Sequence, residues 1–115
     1  MSIQRLHVAK RYSEVVIHNG TIYLAGQLAD DFDGDIREQT RQTLANIDKM
    51  LAEGGSDKSK ILRAQIFIKD LADFAAMNAV WEAWVVPGHT PPRATVKADL
   101  ARPEWKIEVV VTAAV

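Results

Sequence analysis

The N-terminal part of the chain carries apolar runs that predict strands joined by a tight turn. Runs at residues 15–17 and 21–25 flank Asn19-Gly20. An Asn-Gly pair between two such runs is a strong hairpin signal, because both residues tolerate positive φ. Residues Leu6 to Val8 predict a further short strand ahead of the hairpin. The chain therefore begins with two or three neighbouring strands.

A helical period follows the hairpin. Core-facing side chains recur at intervals of three and four, which predicts an amphipathic helix that runs to about Glu53. Asp35 precedes this helix with Glu38 three residues later, a pairing typical of a helix start, and Gly54-Gly55 follows its end. The stripe that we expect to face the core comprises Ile36, Thr40, Leu44, Ile47 and Leu51.

The second half of the chain predicts a strand, a helix and two more strands. The strand covers Ile61 to Ile68. Asp73 is expected to cap the helix that follows, which ends before Pro87-Gly88. Strands at 94–98 and 105–112 complete the chain. The apolar stripe of this helix comprises Phe74, Met77, Trp81 and Trp84.

This order of elements, β-β-(β)-α-β-α-β-β, predicts an α+β sandwich in which two helices cover one face of a mixed sheet. The side chains predicted on the covered face are Leu62, Ala64, Ile66, Ile68, Ile107, Val109 and Val111. Those predicted on the opposite face are Tyr23, Gln65, Phe67, Thr95, Lys97, Glu108 and Val110. That opposite face is too apolar to remain in water, so we expect neighbouring subunits to cover it.

Composition narrows the possible functions. The chain has 115 residues, of which 48% are hydrophobic and 25% charged, and this predicts a single domain over residues 1–115. Lys and Arg number 14 against 15 Asp and Glu, and the net charge of −1 argues against a nucleic-acid partner, which requires a basic face. The absence of cysteine excludes disulfides and thiolate catalysis.

The sequence offers no signal for a membrane, a metal or a cofactor. No apolar run approaches the ~20 residues that cross a bilayer, and Met1 to Arg5 lack the apolar stretch of a signal peptide. We therefore expect a cytoplasmic protein without membrane contact. The three histidines lack metal-ligand spacing and no glycine pair forms a phosphate loop, so we expect no metal and no cofactor. His89 is the histidine best placed to line a site.

Two charged residues in the C-terminal strands are candidates for chemistry. Glu108 alternates with Ile107 and Val109, so it is predicted to point away from the helices. Arg93 begins the neighbouring strand, and we expect its planar fork of donors to reach the same surface. A glutamate on a half-apolar face loses hydration, so it requires an ion-pair or hydrogen-bond partner or a functional role. Two interpretations remain open, a salt bridge at a subunit interface and a site that binds a carboxylate.

Several motifs along the chain match one known family in the same order. Its C-terminal signature is matched by Pro92-Arg93-Ala94-Thr95-Val96 and Lys106-Ile107-Glu108-Val109, and further motifs are matched at residues 20–27, 39–47 and 67–84. On these motifs the chain resembles the RidA/YjgF family, also called the L-PSP endoribonuclease-like family.

The resemblance implies a chorismate-mutase-like fold, a homotrimer and clefts between subunits. Characterised members of the family hydrolyse reactive 2-imino or enamine acids to 2-oxo acids and ammonia without a cofactor. By the resemblance, Arg93 binds the substrate carboxylate and Glu108 holds the hydrolytic water. Tyr12 and Thr95 stand at positions of family residues that bind substrate, although Thr95 replaces a cysteine.

The chain departs from the family pattern at three positions, which indicates a divergent subgroup. Ala25 replaces a serine, Thr95 replaces the cysteine, and Val110 replaces a second glutamate. Besides an imine deaminase, the sequence is compatible with a non-catalytic small-ligand-binding or chaperone-like trimer that uses the same clefts. A third hypothesis, an endoribonuclease, is disfavoured by the net charge of −1.

Overall fold

A computed structural model describes residues 2–115 as a six-stranded sheet with two α-helices. The strand order across the sheet is β1-β2-β3-β6-β4-β5. The strands are β1 (Gln4–Val8), β2 (Ser13–His18), β3 (Thr21–Leu24), β4 (Ile61–Ile68), β5 (Arg93–Lys97) and β6 (Ile107–Ala114). The helices are α1 (Ile36–Glu53) and α2 (Phe74–Trp84). The predicted order of elements is confirmed.

Local turn and cap chemistry sets the ends of these elements. Asn19 and Gly20 have φ of 52° and 76°, as the hairpin signal requires. The Asp35 side chain accepts a hydrogen bond from the Glu38 backbone at 2.9 Å and caps α1. The predicted cap at Asp73 is wrong, because that side chain makes no capping hydrogen bond. Asp70, three residues earlier, caps a short 3₁₀ turn instead.

Both helices pack on one face of the sheet, and all five residues of the predicted α1 stripe are buried there. The predicted covered face is confirmed for every position except Leu62, which is 50% exposed. The register of β4 against β6 shifts between Ile61 and Arg63, so Leu62 is an extra residue in the strand. The bulge reverses the alternation, and Ile61 is buried in its place.

The opposite face carries apolar side chains that no element of residues 2–115 covers. Tyr23 is 48% exposed and Val96 is 43% exposed, while Phe67 and Val110 are half-buried. The predicted placement of Thr95 and Lys97 on this face is wrong. β5 runs parallel to β4 and pairs these residues with Ile66 and Ile68, whose side chains are buried under the helices. Thr95 and Lys97 therefore belong to the helix side.

Gln39 joins α1 to two loops, the one that precedes α1 and the one that precedes β6. Its fully buried side-chain amide lies within 3.3 Å of the carbonyl oxygens of Phe32, Gly34 and Glu104. Its Oε1 accepts a hydrogen bond of 2.9 Å from the backbone of Lys106. This side chain thereby fixes the entry into β6, the strand that carries Glu108.

The substitution Gln39→Leu is expected to lower the free energy of unfolding by about 2–3 kcal/mol, because it removes four hydrogen bonds made by a fully buried side chain and leaves their backbone partners facing leucine. Urea titration followed by circular dichroism measures the change. Gln42→Leu on the same helix is the matched control and is expected to cost less than about 1 kcal/mol, since Gln42 is half-exposed and water replaces its hydrogen bonds. Equal losses in the two variants would contradict this role of Gln39.

Candidate active site

The guanidinium of Arg93 is held on the helix side of the sheet, against α2. Arg93 begins β5 and pairs with Ala64, whose side chain is buried under the helices. Its Nη1 donates a hydrogen bond of 2.9 Å to Asn78 Oδ1. The guanidinium carbon lies 5.4 Å from a Trp81 ring centre and 5.9 Å from that of Phe74. At such distances an aromatic face attracts a cation, so one hydrogen bond and two rings fix the side chain.

Most donors of Arg93 are left free for another group. A guanidinium carries five N–H donors, and within residues 2–115 Arg93 donates to Asn78 alone and pairs with no carboxylate. Thr95 lies two residues along the same strand, so its side chain points to the same side. Its hydroxyl oxygen is buried and lacks a partner among the described residues. We call Phe74, Asn78, Trp81, Arg93 and Thr95 the arginine cluster.

Glu108 lies on the other face of the sheet, beside Phe67 of β4. Its carboxylate packs against the backbone of Gly26, where an added methyl group would fall 1.9 Å from Glu108 Oε2. Burial raises the pKa of the Glu108 carboxyl above its ordinary value of 4.5. A partly desolvated carboxylate of raised pKa is suited to accept a proton near neutral pH.

The loop after β3 borders a polar cleft that extends to α1. Gln27 exchanges backbone hydrogen bonds of 2.8 and 3.0 Å with Val109, and its side-chain amide donates to Glu14 Oε2 at 3.2 Å. The cleft has a volume of about 250 Å³, and it is bordered by Tyr12, Glu14, Gly26 and Gln27 and, from α1, by Asn46, Lys49 and Met50. Gly26 joins this cleft to Glu108, and Tyr12 is 59% exposed. We call Tyr12, Glu14, Gly26, Gln27 and Glu108 the glutamate cluster.

The expectation that Arg93 and Glu108 reach one surface is wrong within a single chain. Arg93 pairs with Ala64, and Glu108 pairs with Phe67. Ala64 and Phe67 lie an odd number of residues apart on β4, so their side chains point to opposite faces. Two separate clusters result, one on each side of the sheet.

The family motifs at residues 20–27 and 67–84 include Gly26 and Asn78, but the sequence did not predict that each contacts one of the two charged side chains. Asn78 follows Phe74 by four residues and precedes Trp81 by three, so these three side chains share one face of α2. That spacing was the available signal. No local period predicts the contact of Gly26 with Glu108, because that contact depends on pairing between distant segments of the chain.

His89 belongs to neither cluster. It is exposed, and its Nδ1 lies 3.3 Å from the carbonyl oxygen of Pro87. Over residues 2–115, no group of three or more metal-ligating side chains is arranged to hold an ion. Over the same residues, no helix is both long enough and apolar enough to pass through a bilayer.

The fold and the two clusters define a small α+β protein in which a mixed sheet separates an unpaired arginine from a partly desolvated glutamate. A model of the family described as Endoribonuclease L-PSP matches residues 2–115. The chain belongs to this family, which is the RidA/YjgF family that its motifs resemble.

Individual relatives agree with the assignment over the whole chain. The RutC family protein YoaB of Escherichia coli K12 is 51% identical over 115 residues, which cover 100% of both chains. A member of the YjgF protein family from Neisseria meningitidis has a solved structure with a TM-score of 0.96 and 48% identity, covering 99% of this chain and 95% of that one. The structure of a putative translation initiation inhibitor from Salmonella typhimurium gives a TM-score of 0.91 at 50% identity, covering 99% and 98%. These structures confirm the predicted fold.

Proposed function

We propose that the protein hydrolyses reactive 2-imino acids and their enamines to 2-oxo acids and ammonia, at sites between the subunits of a homotrimer. The family resemblance suggests the reaction, and the two clusters supply the groups that it needs. Arg93 binds the substrate carboxylate, with the Thr95 hydroxyl beside it. Glu108 positions the hydrolytic water, and Tyr12 borders the substrate cleft. No metal or organic cofactor takes part.

The unpaired guanidinium of Arg93 is the observation that carries this proposal. An arginine held by Asn78 and two aromatic rings has lost much of its side-chain freedom before any ligand binds. Its remaining donors match the two oxygens of a carboxylate, which a guanidinium binds in a bidentate manner. A residue needed only for packing would not require this combination of fixed position and free donors.

The reaction requires a correctly oriented substrate and water molecule and one group that accepts a proton. C2 of a protonated 2-imino acid is already electrophilic, so the protein has only to orient the substrate and a water molecule. Glu108 accepts a proton from the water as the water oxygen bonds to C2, which gives a carbinolamine. That proton then passes to the nitrogen. As the C–N bond breaks, Glu108 takes up the proton of the carbinolamine hydroxyl, ammonia leaves together with the 2-oxo acid, and Glu108 returns its proton to water.

The positions of Arg93 and Glu108 on opposite faces of the sheet support sites that are shared between subunits. Arg93 and Glu108 point to opposite sides of one chain, so a site that contains both takes them from two chains. The open face carries Tyr23, Val96 and other apolar side chains, and burying each contributes about 1.5–3 kcal/mol to association. Homotrimer formation covers this face.

Mixed trimers of two inactive variants test the arrangement. Arg93→Ala subunits lack the carboxylate clamp and Glu108→Gln subunits lack the base, so each variant alone is expected to be inactive. In every heterotrimer one junction joins an intact Arg93 to an intact Glu108, and random mixing is expected to restore about one quarter of the wild-type rate. The assay generates 2-iminopropanoate with an amino-acid oxidase and measures competition with semicarbazide trapping.

Each other outcome has a defined meaning. Heterotrimers that form by native mass spectrometry yet stay inactive would refute sites shared between subunits. Full activity of both parent variants would refute their catalytic roles. No activity of the wild-type protein on aliphatic or aromatic 2-imino acids would refute hydrolysis and favour the non-catalytic ligand-binding trimer. A monomer mass by light scattering at micromolar concentration would refute the trimer.

The substitution Gly26→Ala is expected to remove most of the deaminase rate while leaving the fold intact. The added methyl group would fall 1.9 Å from Glu108 Oε2 and 2.9 Å from its Cδ, so the carboxylate must move away. Misplacing a catalytic group by about 1 Å costs on the order of 100-fold in rate. Gly88→Ala is the control for backbone strain alone, because Gly88 has a φ of +80° that alanine tolerates poorly, whereas its added methyl group would meet no atom within 4 Å and it belongs to neither cluster. Undiminished turnover in Gly26→Ala would contradict the role given to Glu108.

A further inference from the structure

A groove between α1 and α2 shares no residue with either cluster. Its volume is about 430 Å³, within the range of small-molecule sites. Arg37, Arg41 and Ala45 border it from α1, and Ala83 and Trp84 border it from α2. The alanine side chains on both helices leave the space between them open.

One end of the groove has a fixed aromatic wall. The Trp84 indole Nε1 donates a hydrogen bond of 3.0 Å to Asp48 Oδ2 on α1. The Trp84 ring also lies 5.3 Å from that of Trp81, and the Lys58 ammonium lies 5.3 Å from a Trp84 ring centre. These contacts hold the half-buried indole in one position before a ligand arrives.

The groove is positive although the chain as a whole is slightly negative. Three cationic side chains line it against the single carboxylate of Asp48, which already accepts the Trp84 hydrogen bond. Arg37 forms no ion pair within residues 2–115, and Arg41 pairs only with the exposed Glu38 at 3.2 Å. Such exposed pairs are weak and give way to a competing anion.

We infer that this groove binds a small aromatic anion. Arg37 and Arg41 lie one turn apart on the same face of α1, so both reach one carboxylate or sulfonate. Flat rings attached to that group then lie over Ala45 and Ala83 against the Trp84 indole, a surface that favours aromatic contact. A neutral or cationic molecule of the same shape leaves the two guanidinium groups without a partner. The inference does not depend on the proposed reaction.

Binding of 8-anilinonaphthalene-1-sulfonate to the full-length ¹⁵N-labelled protein tests the inference. The three tryptophans give three indole N–H signals, and Trp84→Phe identifies the one from Trp84. We expect saturable binding of one probe per chain that shifts the Trp84 signal and leaves Trp105, which packs against Phe32 elsewhere, unchanged. N-phenyl-1-naphthylamine, the same ring system without the sulfonate, is expected to bind about tenfold more weakly.

Variants locate the site independently of the probe's fluorescence. The double variant Arg37→Ala/Arg41→Ala is expected to weaken probe binding about tenfold or more, and Ala83→Leu is expected to abolish it by filling the groove. Arg5→Ala/Arg11→Ala removes the same charge from exposed positions outside the groove and is expected to leave the affinity unchanged. Binding without a Trp84 shift, equal affinity in the double variants, or no saturable binding would each overturn the inference.

Discussion

The substitution Arg93→Ala is expected to lower kcat/KM for 2-iminopropanoate by roughly 30- to several-thousand-fold while the trimer persists. The loss of one partly buried, bidentate charge contact costs about 2–5 kcal/mol of transition-state binding. The guanidinium also lies near the rings of Phe74 and Trp81, so a small fall in melting temperature should accompany the loss of rate. Steady-state kinetics and light scattering on the same samples separate the two effects.

Arg93→Lys is expected to restore little of this rate. A lysine keeps the positive charge but cannot reproduce the planar fork that meets both carboxylate oxygens and the Asn78 acceptor. Arg5→Ala, at an exposed position of β1, is the matched control and should retain the wild-type rate. If Arg93 only formed an interfacial salt bridge, Arg93→Ala would dissociate the trimer. A fully active Arg93→Ala trimer would refute the clamp.

The substitution Glu108→Gln is expected to abolish hydrolysis and to leave ligand binding largely intact. An amide keeps the shape of the side chain but cannot accept the proton of the attacking water, and general-base groups typically contribute about 10²–10⁴-fold to a rate. Because burial raises the pKa of Glu108, the wild-type rate should begin to fall with decreasing pH while ordinary glutamates are still ionised. Pyruvate, the 2-oxo acid product, is expected to bind the variant with nearly unchanged affinity by calorimetry.

The same substitution is expected to raise thermal stability at neutral pH. A carboxyl whose folded-state pKa is raised favours folding while it is protonated, and this contribution is lost as the pH rises through the folded-state pKa. The ionised Glu108 therefore opposes folding at pH 7, and glutamine removes that cost. The stability difference should vanish below the ordinary glutamate pKa. Glu82→Gln, at an exposed site on α2, should show no such pattern. A Glu108→Gln protein that melts lower at pH 7 would contradict this expectation.

Signals that act between near neighbours predicted most of the fold. The φ angles of Asn19 and Gly20, the Asp35 cap and the buried stripe of α1 all follow from residues a few positions apart. The features that were predicted wrongly depend on how strands distant in the sequence pair with each other. The bulge at Leu62 and the parallel alignment of β5 with β4 each reversed the predicted face of side chains, and simple alternation along one strand reveals neither.

For the candidate site too, the sequence predicted some features and missed others. Strand alternation and side-chain chemistry identified Arg93 and Glu108, and continuous family motifs then gave their expected roles. The strands that carry them were predicted to within two residues. Their immediate surroundings were not predicted. Asn78 is brought to Arg93 by the packing of α2 on the sheet, and Gly26 is brought to Glu108 by a bridge to β6. Such contacts join segments that are distant along the chain, so no local period encodes them.

The arginine cluster is contained in one short stretch of the chain, residues 74–95, which forms α2, the crossover and most of β5. The glutamate cluster instead comes from residues 12–27 together with Glu108. In genetic terms, the carboxylate recognition and the water activation of the proposed reaction are encoded in separate parts of the reading frame. If the proposed roles hold, mutations within residues 74–95 are expected to alter carboxylate recognition without displacing Glu108, and exchanging this stretch between relatives is expected to transfer that recognition as a unit.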